Sequence, residues 1–203
     1  MFFVRIGDEV LCPGLADAIN LAVKEAYKTA RKSVADPLTR KNTGDNTPAV
    51  IEYFFTRGQE LEITFLAKGA GSENMSRLYM LTPADGEDGI ISSVVDAVKR
   101  GGKNACPPLV VGVGIGGVTE TACMLSKRAL LRPVGQHSDR ADVAELEKKI
   151  LSEINALGIG VGALGGDLTA LAVNIETAPT HIGMLPVAVN LQCHSLRHGS
   201  VKF

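Results

Sequence analysis

The sequence has no concentration of charge of either sign. Its 21 Lys and Arg face 22 Asp and Glu, for a formal net charge of −1, and the basic residues are scattered. A nucleic-acid groove needs a dense basic footprint, so no nucleic acid is expected as a partner. Long hydrophobic runs are absent too. The stretch ALGIGVGALGG, residues 156–166, is apolar but too short and too rich in glycine to span a bilayer, and no membrane partner is expected. The opening MFFVRIGDEV alternates like a strand and has no signal-peptide charge, apolar core or cleavage site. A soluble, cytoplasmic protein is the expectation. The four cysteines, Cys12, Cys106, Cys123 and Cys193, form no CxxC pair and no short disulfide scaffold, which points to a reducing compartment. Internal repeats and low-complexity linkers are also missing, so the 203 residues read as a single domain, 1–203.

Along the chain, MFFVRI reads as a strand and Leu15 to about Arg31 as a helix, with Leu15, Ala18, Ile19, Ala22 and Ala26 at helical spacing. SVADPLTRKNTGDNTPAV is a long polar connection. VIEYFFTRGQELEITFLAK has the pattern of a hairpin turning near Arg57 to Gln59, followed by the small-residue loop GAGSEN. Then come a helix (IISSVVDAVKRGG), a buried strand (PLVVGVG) and a second helix (TETACMLSKRALL). The clearest helix runs from Asp142 to Leu157, with Val143, Leu146, Ile150, Ile154 and Leu157 in one stripe. LTALAVNIETAP and LPVAVNLQC add two strands. The fold class expected is α/β (α+β), a mixed sheet with flanking helices.

Gly112, Gly114 and Gly117 satisfy GxGxxG between a strand and a helix. Three readings stand: close packing of strand on helix, a nucleotide phosphate, or an anionic substrate on the amides of Gly116, Gly117 and Val118. The acidic residue expected about 20 positions on falls in LLRPVGQHSD, which is not a strand end. Cys123, mid-helix on an apolar face, reads as a small buried hydrophobe. Cys106 precedes Pro107 and Pro108 in a stiff loop, and Cys193 closes an apolar run beside His194. These two are either unrelated or a shared site for metal or nucleophilic chemistry. His181 sits in a proline-flanked turn, and His137 in a polar loop. Arg31 is either a cation at a helix end or a planar fork for a carboxylate. Lys68 to Ser76, KGAGSENMS, is a tight turn or a set of amides for an anion.

Four segments read together carry a resemblance: RKSVADPLTRKNTGDNTPAVIEY, KGAGSENMS, CPPLVVGVGIGGVTETACMLSKRALL and NIETAPTHIGMLPVAVNLQCHSLRH. In this order they resemble the class I iron–sulfur fumarate hydratase and L(+)-tartrate dehydratase family, specifically its α-subunit or N-terminal part. The resemblance implies an α-subunit of a hydro-lyase for a C4 dicarboxylate, malate/fumarate or tartrate/oxaloacetate, that works with a β-subunit in an oligomer. It implies a 4Fe–4S cluster held by Cys106, Cys193 and a third cysteine, with an open-site iron as Lewis acid. Arg31 is implied as a catalytic and substrate-binding residue, as is His181. Ala70 and Gly71, in the loop from Gly69 to Gly71, are implied to touch substrate through the backbone. The glycine cluster would then pack its strand against its helix beside the cluster loop.

The family's first cluster cysteine lies in a CQDTG-like segment directly before the strand matching MFFVRI. The resemblance therefore implies an N-terminally truncated catalytic domain, from a shortened coding sequence, that lacks the third cysteine ligand and the adjacent aspartate and is inactive alone. Two alternatives differ in class. One is a non-catalytic assembly or binding module that has lost the cluster, and the other is a nucleotide-binding oxidoreductase domain.

Overall fold

A computed structural model describes the whole chain, residues 1–203. It is mixed α+β, as the mixture of strand-like and helix-like segments predicts. The residues divide into two compact units: Met1–Ala67 with Arg197–Phe203, and Lys68–Leu196. No helix is long and apolar enough to cross a membrane.

The first unit is a four-stranded sheet with one helix. β1 (Phe2–Gly7) lies between β2 (Ile51–Thr56), which it pairs in parallel, and β3 (Leu61–Leu66), which it pairs antiparallel. The expected hairpin is therefore not formed. β2 and β3 do follow each other through a short turn, but the apolar strand β1 separates them and takes a ladder from each. β8 (His198–Lys202), unforeseen in a polar tail, closes the other side of β3.

α1 spans Leu15–Ala26, about five residues shorter than its pattern predicts. Only Ile19 is buried, with Leu15 and Val23 partly so, while Ala18, Ala22 and Ala26 are exposed. The line i, i+4, i+8 of larger side chains determines which face packs. Ile19 joins Val4 and Ile6, and half-buried Cys12 packs against the same cluster.

In the second unit the sheet order is β4-β7-β5-β6, from β4 (Arg77–Leu81), β5 (Leu109–Gly116), β6 (Ala170–Ala178) and β7 (Leu185–Gln192). β4 is a strand that the loop-like reading of its surroundings missed. β5 pairs β6 in parallel and β7 antiparallel, and all eight of its residues are buried. One face of the sheet, through Val111, Val113, Ile175 and Val189, packs on α3 (Gly86–Gly101) and α5 (Ala141–Ala156). The other face carries Gly112 and Gly114 beneath α4 (Thr119–Ala129). A Cβ on Gly112 would stand 2.1 Å from the Ser126 carbonyl oxygen, and one on Gly114 2.0 Å from that of Ala122. Here glycine is what lets the helix backbone lie on the strand, so packing accounts for both positions.

α5 contains a residue its apolar stripe did not announce. Glu147 is fully buried and accepts from the Ile175 backbone N–H at 2.9 Å, the Ser138 N–H at 3.1 Å and Arg132 Nη1 at 2.5 Å, with His137 Nδ1 at 3.2 Å. Arg132 also donates to the Ile175 carbonyl at 2.8 Å and to Glu176 at 2.6 Å. β6 is an edge strand, and this pair of side chains takes the N–H and the C=O that Ile175 turns outward. A charged clamp thus replaces the neighbouring strand that an edge lacks.

Candidate active site

The antiparallel pairing of β5 with β7 decides which motifs meet. Val110 pairs Gln192, so the chain leading into β5 and the chain leaving β7 lie at one end of the sheet. Cys106 stands three residues before β5 and Cys193 directly after β7. Their loops touch: His194 Nδ1 lies 3.3 Å from the Cys106 carbonyl oxygen. Cys106 ends the turn Gly102–Ala105 in a left-handed conformation (φ 57°) with its side chain exposed, and Cys193 is half-buried. Gln192 is fully buried. Its Nε2 donates to the Ser195 carbonyl at 3.4 Å and lies 3.6 Å from the Cys193 sulfur, while its Oε1 has no partner.

The Gly69–Gly71 segment reaches the same end. Gly69 caps α2 (Ala70–Glu73), a single turn closed by Glu73 N–H to the Gly69 carbonyl (3.0 Å) and Asn74 N–H to the Ala70 carbonyl (2.9 Å). A Cβ on Gly71 would stand 3.5 Å from the Asn104 carbonyl, two residues before Cys106. Met75 fills a notch at Gly101, 2.8 Å from where a Cβ there would lie.

Three charged residues missed by sequence reasoning secure this turn. Glu73 Oε1 accepts from Lys127 of α4 at 2.5 Å, and its Oε2 pairs with Lys68 at 3.0 Å by charge, without an aligned hydrogen bond. The Lys68 side chain is only 8% exposed and reaches Ser72 Oγ at 3.4 Å. Burial lowers the Lys68 pKa, and the carboxylate of Glu73 opposes that. Burial pushes the Glu73 pKa up, but the hydrogen bond from Lys127 and the charge of Lys68 outweigh it and hold the carboxyl below its usual range. The one signal in the sequence was that Lys68 and Glu73 both belong to the quoted segment KGAGSENMS.

His181, the other predicted site residue in this unit, lies elsewhere. His181 follows β6, at the end of the sheet where Thr180 Oγ1 donates to the Gly117 carbonyl at 2.8 Å. It is exposed, and its Nδ1 accepts the Gly183 N–H at 3.1 Å. The eight residues of β5, at about 3.3 Å per residue, put this end roughly 23 Å from the cysteine end. The glycine run therefore leads away from the cysteines and does not lie beside them.

Arg31 belongs to the first unit, exposed and beyond the end of α1. It is not the cation at the helix's carbonyl end. The basic residue in the last turn is Lys24, and the carbonyls just past the end, of Tyr27, Lys28 (2.9 Å) and Ala30 (3.0 Å), accept from Lys32 Nζ. Cys123, expected buried, is exposed on α4, because Ala122, Leu125 and Ser126 form the face that meets the sheet. Burial still pushes its thiol pKa up.

No group of three or more His, Cys, Asp and Glu side chains is arranged to hold a metal ion. Two thiols at one end of the sheet suit a soft-metal group in donor type.

The family model described as fumarate hydratase (fumerase) matches residues 1–202. The putative L(+)-tartrate dehydratase subunit alpha of Methanocaldococcus jannaschii is 44% identical over 202 residues, which cover 94% of this chain and 70% of that protein. The L(+)-tartrate dehydratase subunit alpha of Escherichia coli strain K12 is 35% identical over 208 residues, 99% of this chain and 69% of the relative.

Proposed function

Because the chain belongs to the fumarate hydratase family, we propose that it is the α-subunit of an iron–sulfur hydro-lyase that hydrates and dehydrates a C4 dicarboxylate, malate/fumarate or tartrate/oxaloacetate. The observation that carries this reading is the meeting of the Cys106 and Cys193 loops, with the Gly69–Gly71 turn against them.

Cys106 and Cys193 would serve as two thiolate ligands of a 4Fe–4S cluster. When bound, such a group supplies Lewis-acid polarisation of the substrate hydroxyl, a poor leaving group in water. The chain's own part is to bind and orient. Backbone at Ala70 and Gly71 would meet a carboxylate of the substrate. Arg31 enters by resemblance alone, as a planar fork for a carboxylate. His181 enters as a pocket residue by resemblance, and its distance from the cysteine end separates its role from theirs. With two matched sulfurs, the chain would depend on a third cysteine for the cluster and on a β-subunit for the rest of the substrate site.

A second reading, a non-catalytic binding or assembly module, draws on the same count of two sulfurs. Anaerobic iron and sulfide reconstitution separates the two readings. The hydro-lyase reading expects the protein, with its β-subunit, to take up iron and hydrate the dicarboxylate, and expects Cys106→Ser and Cys193→Ser each to lower the iron content. Unchanged iron in both variants would sink it and favour the module.

A further inference from the structure

The turn from Gly69 to Ser76 has little to hold it in place by itself. α2 is four residues long, and Gly69 caps it with no side chain to accept its free N–H groups. Two contacts from outside the turn fix it. On one side Met75 sits in the notch at Gly101, next to the Gly102–Ala105 turn that leads to Cys106. On the other side Glu73 joins Lys68, directly before the turn, to Lys127 on α4.

The geometry is asymmetric in its charges. Lys68 is 8% exposed and Lys127 26%, so both ammonium groups are partly removed from water, and Glu73 is the one carboxylate that pairs with either. Two cations with one anion between them give a bridge across the turn. Without the anion the two cations repel across it, and Lys68 becomes a buried charge without a partner. Ser72 Oγ, which also meets Lys68, donates to the Gly69 carbonyl at 3.0 Å, so movement of Lys68 passes directly to the glycine backbone.

We propose that Glu73 is a positioning residue of the site: by bridging Lys68 and Lys127 it holds the backbone of Gly69–Gly71 against the cysteine-bearing loops. The inference rests on the hydro-lyase reading for what this backbone binds, and on the ion pairs and the notch for how it is held. Glu73 touches no reacting atom. Its loss should weaken substrate binding more than turnover.

Two measurements on Glu73→Gln test this. Hydrogen exchange on the full chain without its cluster should show protection over residues 69–76 falling by about tenfold while β5 keeps its own. Steady-state kinetics on the reconstituted complex with the β-subunit should show KM for the dicarboxylate rising about tenfold with kcat within about threefold. Lys127→Met, which leaves the buried face of α4 (Ala122, Leu125, Ser126) intact, should give the same pattern more weakly, because Lys68 keeps its partner. Unchanged exchange over 69–76 in both variants would overturn the clamp. So would an unchanged KM, or a fall in kcat alone, in an active complex. A wild-type complex that turns over neither fumarate nor tartrate would instead overturn the functional reading, and the exchange result would still decide whether Glu73 holds the turn.

Discussion

Replacing Glu147 by alanine removes the one carboxylate that the edge of the second sheet depends on. In the native chain it is fully buried and takes three hydrogen bonds, from Arg132, Ser138 and Ile175, with His137 close by. Alanine leaves Arg132, 14% exposed, with Glu176 as its remaining carboxylate and leaves the Ile175 N–H without an acceptor on the edge of β6. Each hydrogen bond to a charged group contributes about 1.5–3 kcal/mol, but the bonds share one side chain and do not add. Breaking a buried ion pair from one side costs about 3–5 kcal/mol, and that is the expected loss.

Urea unfolding followed by far-UV circular dichroism measures it, since the chain has no tryptophan to serve as a fluorescent probe. The paired change Glu147→Leu with Arg132→Met removes both charges together and should cost less than Glu147→Ala alone, because no buried ion is left behind. A loss below about 1 kcal/mol for Glu147→Ala, with an unchanged denaturant slope, would refute the clamp as the element that closes this edge.

Three further outcomes follow from the same structure. Tyr79 donates to Asp96 at 2.9 Å, and burial together with that carboxylate pushes its pKa up to about 12. Its pKa is raised on folding, so its contribution to stability is complete below pH 10 and is lost as pH rises through about 12. An alkaline absorbance titration should show a late tyrosinate phase that Tyr79→Phe removes. At Gly114, alanine would place a methyl 2.0 Å from the Ala122 carbonyl and lift α4 off the sheet, a cost at or above the roughly 1–3 kcal/mol of ordinary overpacking. The wild-type melting temperature should not respond to NAD or ATP. A rise with either would favour the nucleotide reading of these glycines.

Periodicity and composition were enough for the elements whose burial is one-sided or complete. The alternation of β1, the unbroken apolar run of β5, and the stripes of α3 and α5 are local patterns, because each states which side of a segment avoids water. The motifs in KGAGSENMS, CPP and LQCHS were likewise visible as residue types. Pairing partners were not visible. β2 and β3 look like a hairpin until β1 takes both ladders, and α1 ends at Ala26, short of the Arg31 that the pattern suggested.

Left to itself, then, the sequence determined the class of fold, the apolar strands and helices, and the two cysteine loops as places of interest. Only the tertiary structure decided that the Cys106 and Cys193 loops share one end of a sheet, that His181 stands at the other, and that Glu73 and Glu147 are held by charges distant in the chain. The physical reason is that a strand's direction and register relative to its neighbours come from long-range hydrogen bonds. One antiparallel ladder between β5 and β7 brings together residues 88 positions apart and sets residues 12 positions apart at opposite ends.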